Sequence, residues 1–130
     1  MPRPPNPEAL VALREAADMA PRSLEAVERG LANSVFAVHV IHDPSGEPVG
    51  MGRIVGDDGA VYHISDMAVH PDHQGRGLGT HIMNRLWAYI EGTAPESAYV
   101  NLLADVDGFY ERFGFEETRP ASKGMYRRVE

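Results

Sequence analysis

Residues 74–80 read Gln-Gly-Arg-Gly-Leu-Gly-Thr, and this stretch decides the fold. Three glycines within five positions raise the entropic cost of ordering the backbone. We therefore expect that these positions require a backbone without side chains. A glycine-rich turn that leads into a helix presents free N–H donors at the positive end of the helix dipole. The stretch therefore predicts a phosphate or diphosphate site, or, in its simplest interpretation, only a tight strand-to-helix turn.

Two common phosphate-binding patterns do not match this stretch. The dinucleotide fingerprint Gly-x-Gly-x-x-Gly fails because Thr80 stands where the third glycine is needed. The nucleotide-triphosphate loop requires Gly-Lys-Ser/Thr, and no lysine occurs here. The pattern Gln/Arg-x-x-Gly-x-Gly/Ala does match, through Gln74, Gly77 and Gly79.

Before this stretch, the hydrophobic pattern predicts two helices and then an antiparallel three-stranded meander. The helices are expected over Glu8–Met19 and Leu24–Arg29, and the strands over Val35–His42, Pro48–Val55 and Ala60–Val69. In the first helix, Leu10, Leu13 and Ala17 form the apolar side, and Arg14 is assigned to the polar side. Ser23 is a suitable N-cap for the second helix.

After this stretch, the period changes to that of a helix. Apolar residues at Ile82, Leu86 and Ile90 predict an amphipathic helix that Gly92 ends. The rest of the chain is predicted to form a strand over Tyr99–Leu103, a short helix over Asp107–Phe113 and two final strands over Phe115–Thr118 and Met125–Val129.

These elements predict an α/β fold (mixed α+β) with a central mixed, mostly antiparallel sheet and helices on both faces. The chain has 130 residues, the length of about one domain. We therefore expect residues 8–130 to form a single domain and the Pro-rich residues 1–7 to form a flexible lead.

Composition excludes several functional classes. The chain has 12 Lys and Arg against 19 Asp and Glu, a net charge of −7, which argues against nucleic-acid or anionic-membrane partners and weakly favours cationic small molecules. The absence of cysteine excludes disulfides, cysteine-ligated metals and a cysteine acyl-enzyme. No apolar run approaches the ~20 residues of a membrane span, and no signal peptide is recognisable, so we expect a cytoplasmic protein.

Two further segments add context to the glycine-rich stretch. The apolar strand ending Asp66-Met67-Ala68-Val69-His70-Pro71 precedes it, and Phe109-Tyr110-Glu111-Arg112-Phe113-Gly114-Phe115 follows one helix and one strand later. This arrangement resembles the GNAT superfamily of acetyl-CoA-dependent N-acetyltransferases, from about Val35 to the C-terminus. The first strand usual in that family would precede Glu8, so we expect a sheet that starts one strand short or leaves an edge open for a partner.

The resemblance implies how acetyl-CoA is bound. Backbone amides of the glycine-rich stretch would hold the coenzyme diphosphate, through Gln74, Gly75, Arg76, Gly77, Leu78, Gly79 and Thr80. The pantetheine arm would pair with the strand residues Met67, Ala68 and Val69, and a backbone N–H there would polarise the thioester carbonyl. Asn101 is expected to bond to the arm. Arg112 is either a ligand of the adenine-side phosphates or a plain surface arginine.

Three side chains are candidates for the chemistry. The resemblance places Tyr110 beside the coenzyme sulfur, where a phenol can protonate a thiolate whose ordinary pKa is ~8.5; the alternative is an aromatic packed between its neighbours. His63 and Asp66 are candidates for the base that deprotonates the amine, with a core histidine and a structural cap as the alternatives. Regular alternation points the two to opposite faces, and only a bulge would bring both to the cleft.

We therefore predict an N-acetyltransferase in which a primary amine, a small cationic amine rather than a protein lysine, attacks the thioester directly. The alternative is an acyl-CoA-binding sensor without turnover. No metal is expected, because the histidines at His39, His42, His70 and His73 lack a third ligand at a suitable spacing. A homodimer is expected from the resemblance alone.

Overall fold

The computed structural model describes residues 1–129, and its strands form one sheet in the order β1-β2-β3-β4. The strands are β1 (Phe36–His42), β2 (Glu47–Gly56), β3 (Val61–Val69) and β4 (Tyr99–Asn101), and the helices are α1 (Pro7–Ala16), α2 (Leu24–Ala32) and α3 (Leu78–Thr93). The first three strands are antiparallel neighbours, and β4 runs parallel to β3. The predicted meander and the mostly antiparallel, mixed sheet are confirmed.

Each helix begins as its sequence dictates. Asn6 caps α1 by accepting a hydrogen bond from the Ala9 N–H, and Ser23 caps α2 in the same way through the Ala26 N–H, as predicted. The third helix has no side-chain cap: Gly77 occupies its N-cap position in the left-handed conformation. The first N–H groups of α3 therefore donate to no capping side chain.

Helices cover both faces of the sheet, as predicted. On one face α3 buries Ile82, Leu86 and Ile90 against Ile54 and Ile64 of the sheet. On the other face α1 and α2 form a smaller cluster, made of Leu10, Leu13, Val27, Met51 and Ala68. The sheet thus lies between α3 on one face and α1 and α2 on the other. A ligand can approach at the strand ends beside α3.

A β-bulge interrupts β3 at Asp66, which has a φ of 54°. Arg53 pairs with Ser65 and Met51 pairs with Ala68, so β3 holds one residue more than β2 over this interval. Ile64 belongs to the α3 face, whereas the Asp66 side chain contacts Arg14 of α1 on the opposite face. The bulge thus places Asp66 on the same face of the sheet as His63. Without a bulge, regular alternation would put the two side chains on opposite faces.

The sheet opens between β3 and β4. The two strands pair over three positions only, from Val61 opposite Tyr99 to His63 opposite Asn101. Beyond His63, β3 continues to Val69 without a neighbour on that side. Alternate backbone N–H and C=O groups of this part of β3 are therefore available to an extended ligand.

The Pro-rich lead lies against the free edge of β1. Met1 and His39 exchange both backbone hydrogen bonds, each at 3.0 Å, and the His39 ring Nδ1 lies 2.6 Å from the Arg3 carbonyl oxygen. Pro5 is buried. The lead therefore covers part of the edge where the missing first strand would pair.

The prediction of two final strands is wrong. Between residues 102 and 129 the chain contains one short 3-10 turn, Tyr110–Phe113, and no strand. Met125 and Tyr126 are each 82% exposed, so alternation of apolar residues here reflects no neighbouring strand in this chain. A strand needs a partner for its backbone groups, and local pattern alone does not supply one.

Candidate active site

A cleft of about 610 Å³ lies between the open end of β3, the glycine-rich stretch and the turn that carries Tyr110. Its walls include Met67, Ala68 and Val69 of β3, and Ala17 and Met19 from the connection between α1 and α2. Most of the predicted coenzyme-binding residues line it; the exceptions are Arg76 and Asn101. An elongated ligand can therefore contact the strand edge and the start of α3 together.

The backbone of the glycine-rich stretch is shaped to receive an anion. Gly75 and Gly77 have φ values of 77° and 81°, and a Cβ atom added to either would meet no atom within 4 Å. The Gln74 side chain donates to the Val69 carbonyl at 3.0 Å and so ties the stretch to the end of β3. Positive-φ glycines before a helix N-terminus that has no side-chain cap can present N–H donors to an anion, which fits a diphosphate.

Aromatic and basic side chains complete this end of the cleft. Arg112 donates to the Thr80 hydroxyl at 3.2 Å, and its guanidinium lies 4.9 Å from the centre of the Phe109 ring. A Cβ atom at Gly79 would lie 3.3 Å from the same ring, so this glycine permits the close packing of Phe109 on α3. Arg112 is thus held beside the first turn of α3, where a phosphate would bind.

Tyr110 is half-buried in the wall of the cleft. Its ring packs edge-on against Phe109, with centroids 5.0 Å apart, and against Phe115 at 6.4 Å. Burial raises the pKa of the Tyr110 phenol, and the negative charge of Asp105 raises it further. The hydroxyl therefore keeps its proton at neutral pH and can donate it to a nearby anion.

The His63 side chain contacts a residue of β4, the strand that diverges from β3 beyond this point. Its Nδ1 lies 2.6 Å from the amide oxygen of Asn101, directly across the last paired position of β3 and β4. An amide oxygen only accepts hydrogen bonds, so Nδ1 carries a proton and the neutral ring has its lone pair on Nε2. This contact occupies the side-chain oxygen of Asn101, the residue that was expected to bond to the pantetheine arm.

Asp66 is neutralised by two arginines. Arg14 Nη1 lies 2.6 Å from one carboxylate oxygen, and Arg53 Nε lies 2.5 Å from the other. Asp66 is 8% exposed and Arg14 is 5% exposed, so the network is buried. The side chain that was a candidate base is thus committed on both oxygens to structural partners.

The sequence reasoning missed both arginines, and its assignment of Arg14 to the polar side of the first helix is wrong. Leu10, Arg14 and Ala17 are separated by four and three residues, which puts all three on one helical face. That spacing was the available signal. Arginine is usually exposed, and this general rule outweighed the spacing. The rule does not hold for Arg14, because Asp66 compensates its buried charge.

Two negative findings concern the part of the chain that the structure covers. Within residues 1–129, no three His, Asp or Glu side chains come together in a way that could bind a metal ion. Over the same residues, no helix combines the length and the apolar character that crossing a bilayer requires.

The split sheet and the glycine-rich start of α3 define an α/β protein with an open cleft between β3 and the start of α3. A family model described as "Acetyltransferase (GNAT) domain" matches residues 34–117, which include the sheet, the stretch 74–80 and Tyr110. The chain belongs to the GNAT acetyltransferase family.

Individual relatives agree with this assignment. The chain is 33% identical to the uncharacterised N-acetyltransferase ycf52 of Pyropia yezoensis, over 81% of this chain and 62% of that protein. It is 32% identical to chloroplastic serotonin N-acetyltransferase 2 of Oryza sativa subsp. japonica, over 80% and 53%. This chain thus spans less than two thirds of the length of either curated relative.

A solved structure matches nearly the whole chain. It is a protein of unknown function from meticillin-resistant Staphylococcus aureus, described as a probable acetyltransferase. It superimposes with a TM-score of 0.94 at 40% identity, covering 99% of this chain and 97% of that chain. The fold is therefore shared by an experimentally solved relative.

Proposed function

We propose that the protein transfers an acetyl group from acetyl-CoA to a primary amine of a small molecule. The observation that carries this proposal is the meeting, in one cleft, of the open edge of β3, the glycine-rich start of α3 and the Tyr110 hydroxyl. Membership of the GNAT family supports the reaction class. The residues of the cleft fit acetyl-CoA, because diphosphate, amide-containing arm and thioester each meet groups of matching chemistry.

The donor substrate lies along the cleft in this proposal. N–H groups of the stretch 74–80 bind the diphosphate, and Arg112 adds a positive charge beside Thr80. The pantetheine arm pairs with the free edge at Met67–Val69, as a peptide does at an exposed strand. A backbone N–H of this edge polarises the thioester carbonyl and stabilises the oxyanion.

Transfer needs two proton movements. An alkylammonium with a pKa near ~10.4 is rarely deprotonated at pH 7, which costs on the order of 4 kcal/mol. Asp66 is bound to two arginines, so we assign the deprotonation to Nε2 of His63, which does not itself line the cleft and would act through a water molecule. The amine nitrogen then bonds to the carbonyl carbon and the C–S bond breaks. Tyr110 gives its proton to the departing thiolate. The ammonium loses two protons in all: one restores the Tyr110 hydroxyl, and the other passes to solvent.

Several observations favour a small amine over a protein lysine as acceptor. The connection between α1 and α2 covers the thioester end of the cleft through Ala17 and Met19, which narrows the approach for a polypeptide. The net charge of −7 attracts ammonium groups, and the rice relative is named for a small amine.

We also propose a cytoplasmic homodimer. Exposed apolar side chains lie on and beside the edge strand β4, at Tyr99 of β4, at its pairing partner Val61 of β3 and at Leu103 after β4, and a second copy can cover them. Sedimentation velocity at micromolar concentration measures the assembly.

A second candidate function, an acyl-CoA sensor without turnover, would be supported if acetyl-CoA bound and no amine released coenzyme A.

Replacing Gly77 by valine is expected to weaken acetyl-CoA binding at least about tenfold, or ~1.4 kcal/mol, because the new side chain fills the space that the diphosphate needs. Valine at a φ of 81° also strains the backbone by about 1–2 kcal/mol. Calorimetric titration with acetyl-CoA measures the affinity.

Gly46→Val is the matched control. Gly46 has a φ of 71° and equally open surroundings, but it lies in the turn between β1 and β2. Both variants should lose similar stability, and only Gly77→Val should lose affinity. Equal affinity in the two folded variants would exclude the proposed diphosphate site.

Replacing His63 by glutamine is expected to lower kcat about 10²-fold or more, since glutamine keeps a polar group near Asn101 but cannot accept the amine proton. The value of kcat/KM should fall together with kcat, because the same proton transfer precedes acetyl transfer. His81→Gln, an exposed position on α3, is the control and should leave both unchanged. A His63→Gln variant that keeps the kcat of the unmodified protein would assign the base elsewhere.

A further inference from the structure

A second cavity, of about 140 Å³, abuts the β3 bulge under α1 and α2. Its polar lining consists of Arg22, Arg53, Ser65 and Asp66. Ser65 and Asp66 directly precede Met67 and Ala68, which line the acetyl-CoA cleft. The small cavity and the cleft are therefore adjacent at the strand segment where the thioester is proposed to lie.

This cavity has more positive charge than its own carboxylate can balance. Arg14 and Arg53 are both bound to Asp66, and their remaining bonds go to the Ala20 carbonyl, the Gly30 carbonyl and the Ser34 hydroxyl. Arg22 is a third guanidinium, and within residues 1–129 it forms no ion pair with a carboxylate. Its one hydrogen bond is a long one, 3.4 Å, to the neighbouring Pro21 carbonyl.

The charges around Arg22 repel it. Burial lowers the pKa of the Arg22 guanidinium, and the positive charges of Arg14 and Arg128 lower it further, while Asp66 compensates only in part. In a chain with a net charge of −7, such a concentration of arginines is a local feature and not a consequence of composition. A bound anion would relieve the repulsion.

We propose that the acceptor amine also carries an anionic oxygen group, a carboxylate or a phosphate, which Arg22 binds in this cavity while the amine faces the thioester. This inference rests on the acetyltransferase function proposed above and specifies its acceptor. A guanidinium matches carboxylate and phosphate oxygens with paired hydrogen bonds, and Ser65 lies in the same wall. The cavity volume admits a compact group of the size found in amino acids.

This acceptor class differs from the purely cationic amine that the net charge suggests. Arg22 is exposed to solvent but also lines the cavity. Charges elsewhere on the surface are screened by salt beyond about 8–10 Å, whereas Arg22 would act on a group in the cavity at contact distance. The local excess of guanidinium therefore decides the charge of the group bound there. A lysine side chain within a protein has no anionic group beside its amine and does not meet this requirement.

Coenzyme A release from acetyl-CoA tests the proposal, with four sets of acceptors. These are the common α-amino acids, their carboxamides, amines without an acidic group such as serotonin and polyamines, and aminoalkyl phosphates. We compare the unmodified protein with Arg22→Ala and Arg22→Lys. Arg29→Ala is the matched control, because Arg29 lies on α2, is 80% exposed along its side chain and lines neither cavity.

The expected result is a kcat/KM at least about tenfold higher for the best acidic acceptor than for its uncharged counterpart. Arg22→Ala should bring this ratio close to one, Arg22→Lys should restore part of it, and Arg29→Ala should keep it. A preference for aminoalkyl phosphates over amino acids supports the proposal and identifies phosphate as the group.

Turnover of amines without an acidic group only, or a ratio that Arg22→Ala leaves unchanged in a folded protein, overturns the inference while the acetyltransferase function stands. Binding of acetyl-CoA with no release of coenzyme A for any of the four sets refutes the acetyltransferase function itself. The two failures are thus distinguished by whether any amine is acetylated.

Discussion

Replacing Tyr110 by phenylalanine is expected to lower kcat for acetyl transfer by about 10²–10⁴-fold, because the thiolate then leaves without a proton donor. The KM for acetyl-CoA should change little, since phenylalanine retains the ring contacts with Phe109 and Phe115. Coenzyme A release under saturating substrates measures kcat. Tyr126→Phe makes the same chemical change at a side chain that is 82% exposed, and it should leave kcat unaltered.

The pH dependence adds a second test of the same residue. A donor functions in its protonated form, below its pKa, and burial followed by the charge of Asp105 raises the pKa of Tyr110 above the ordinary value of 10. Tyr110 should therefore cause no loss of activity below about pH 10. A kcat that survives Tyr110→Phe, or an alkaline limb below pH 9 that the substitution removes, would contradict the assigned role.

Replacing Asp66 by asparagine is expected to lower the free energy of unfolding by about 3–5 kcal/mol, because the buried guanidinium of Arg14 and the partly buried one of Arg53 lose their counter-charge. The substitution conserves volume, so the loss reports charge and not packing. Urea denaturation measures it. Asp72→Asn is the control: that carboxylate is exposed and pairs only with His70 at 3.8 Å, so its removal should change stability by less than about 1 kcal/mol.

The same variant separates the two roles considered for Asp66. Loss of the two ion pairs should destabilise Asp66→Asn in either case, so activity separates the roles. If Asp66 only anchors the bulge, the folded variant should keep most of its kcat at a temperature well below that of unfolding. If Asp66 is the base, kcat should fall about 10²-fold or more. The latter result would also transfer to Asp66 the task that is assigned here to His63.

Much of the coenzyme-binding half could be predicted from local sequence. Gly75 and Gly77 adopt positive φ, Gly77 begins α3, and Ile82, Leu86 and Ile90 are buried along one face of that helix. These properties depend on backbone sterics and on helical periodicity, which act between residues a few positions apart. Alternation likewise predicted the three antiparallel strands.

The half of the site beside the acceptor could not be predicted in this way. Alternation predicted opposite faces for His63 and Asp66, and the bulge changed the face of Asp66 by adding one residue to β3. Likewise, the apolar pattern of Met125–Val129 predicted a strand, but pairing also needs a neighbour, which the chain does not supply there. Register and strand neighbours are properties of the assembled sheet.

By itself, the sequence determined the glycine-rich start of α3, the meander, the amphipathic helix and the family, because each depends on short-range spacing. Only the tertiary structure decided which charges meet: Arg14 and Asp66 are 52 residues apart in the chain and 2.6 Å apart in the fold. It also placed Arg22 in the cavity beside the bulge, where it forms no ion pair with a carboxylate of residues 1–129. Charge pairing in the interior depends on contact distance and burial, and neither quantity exists until α1, α2 and the sheet have packed together.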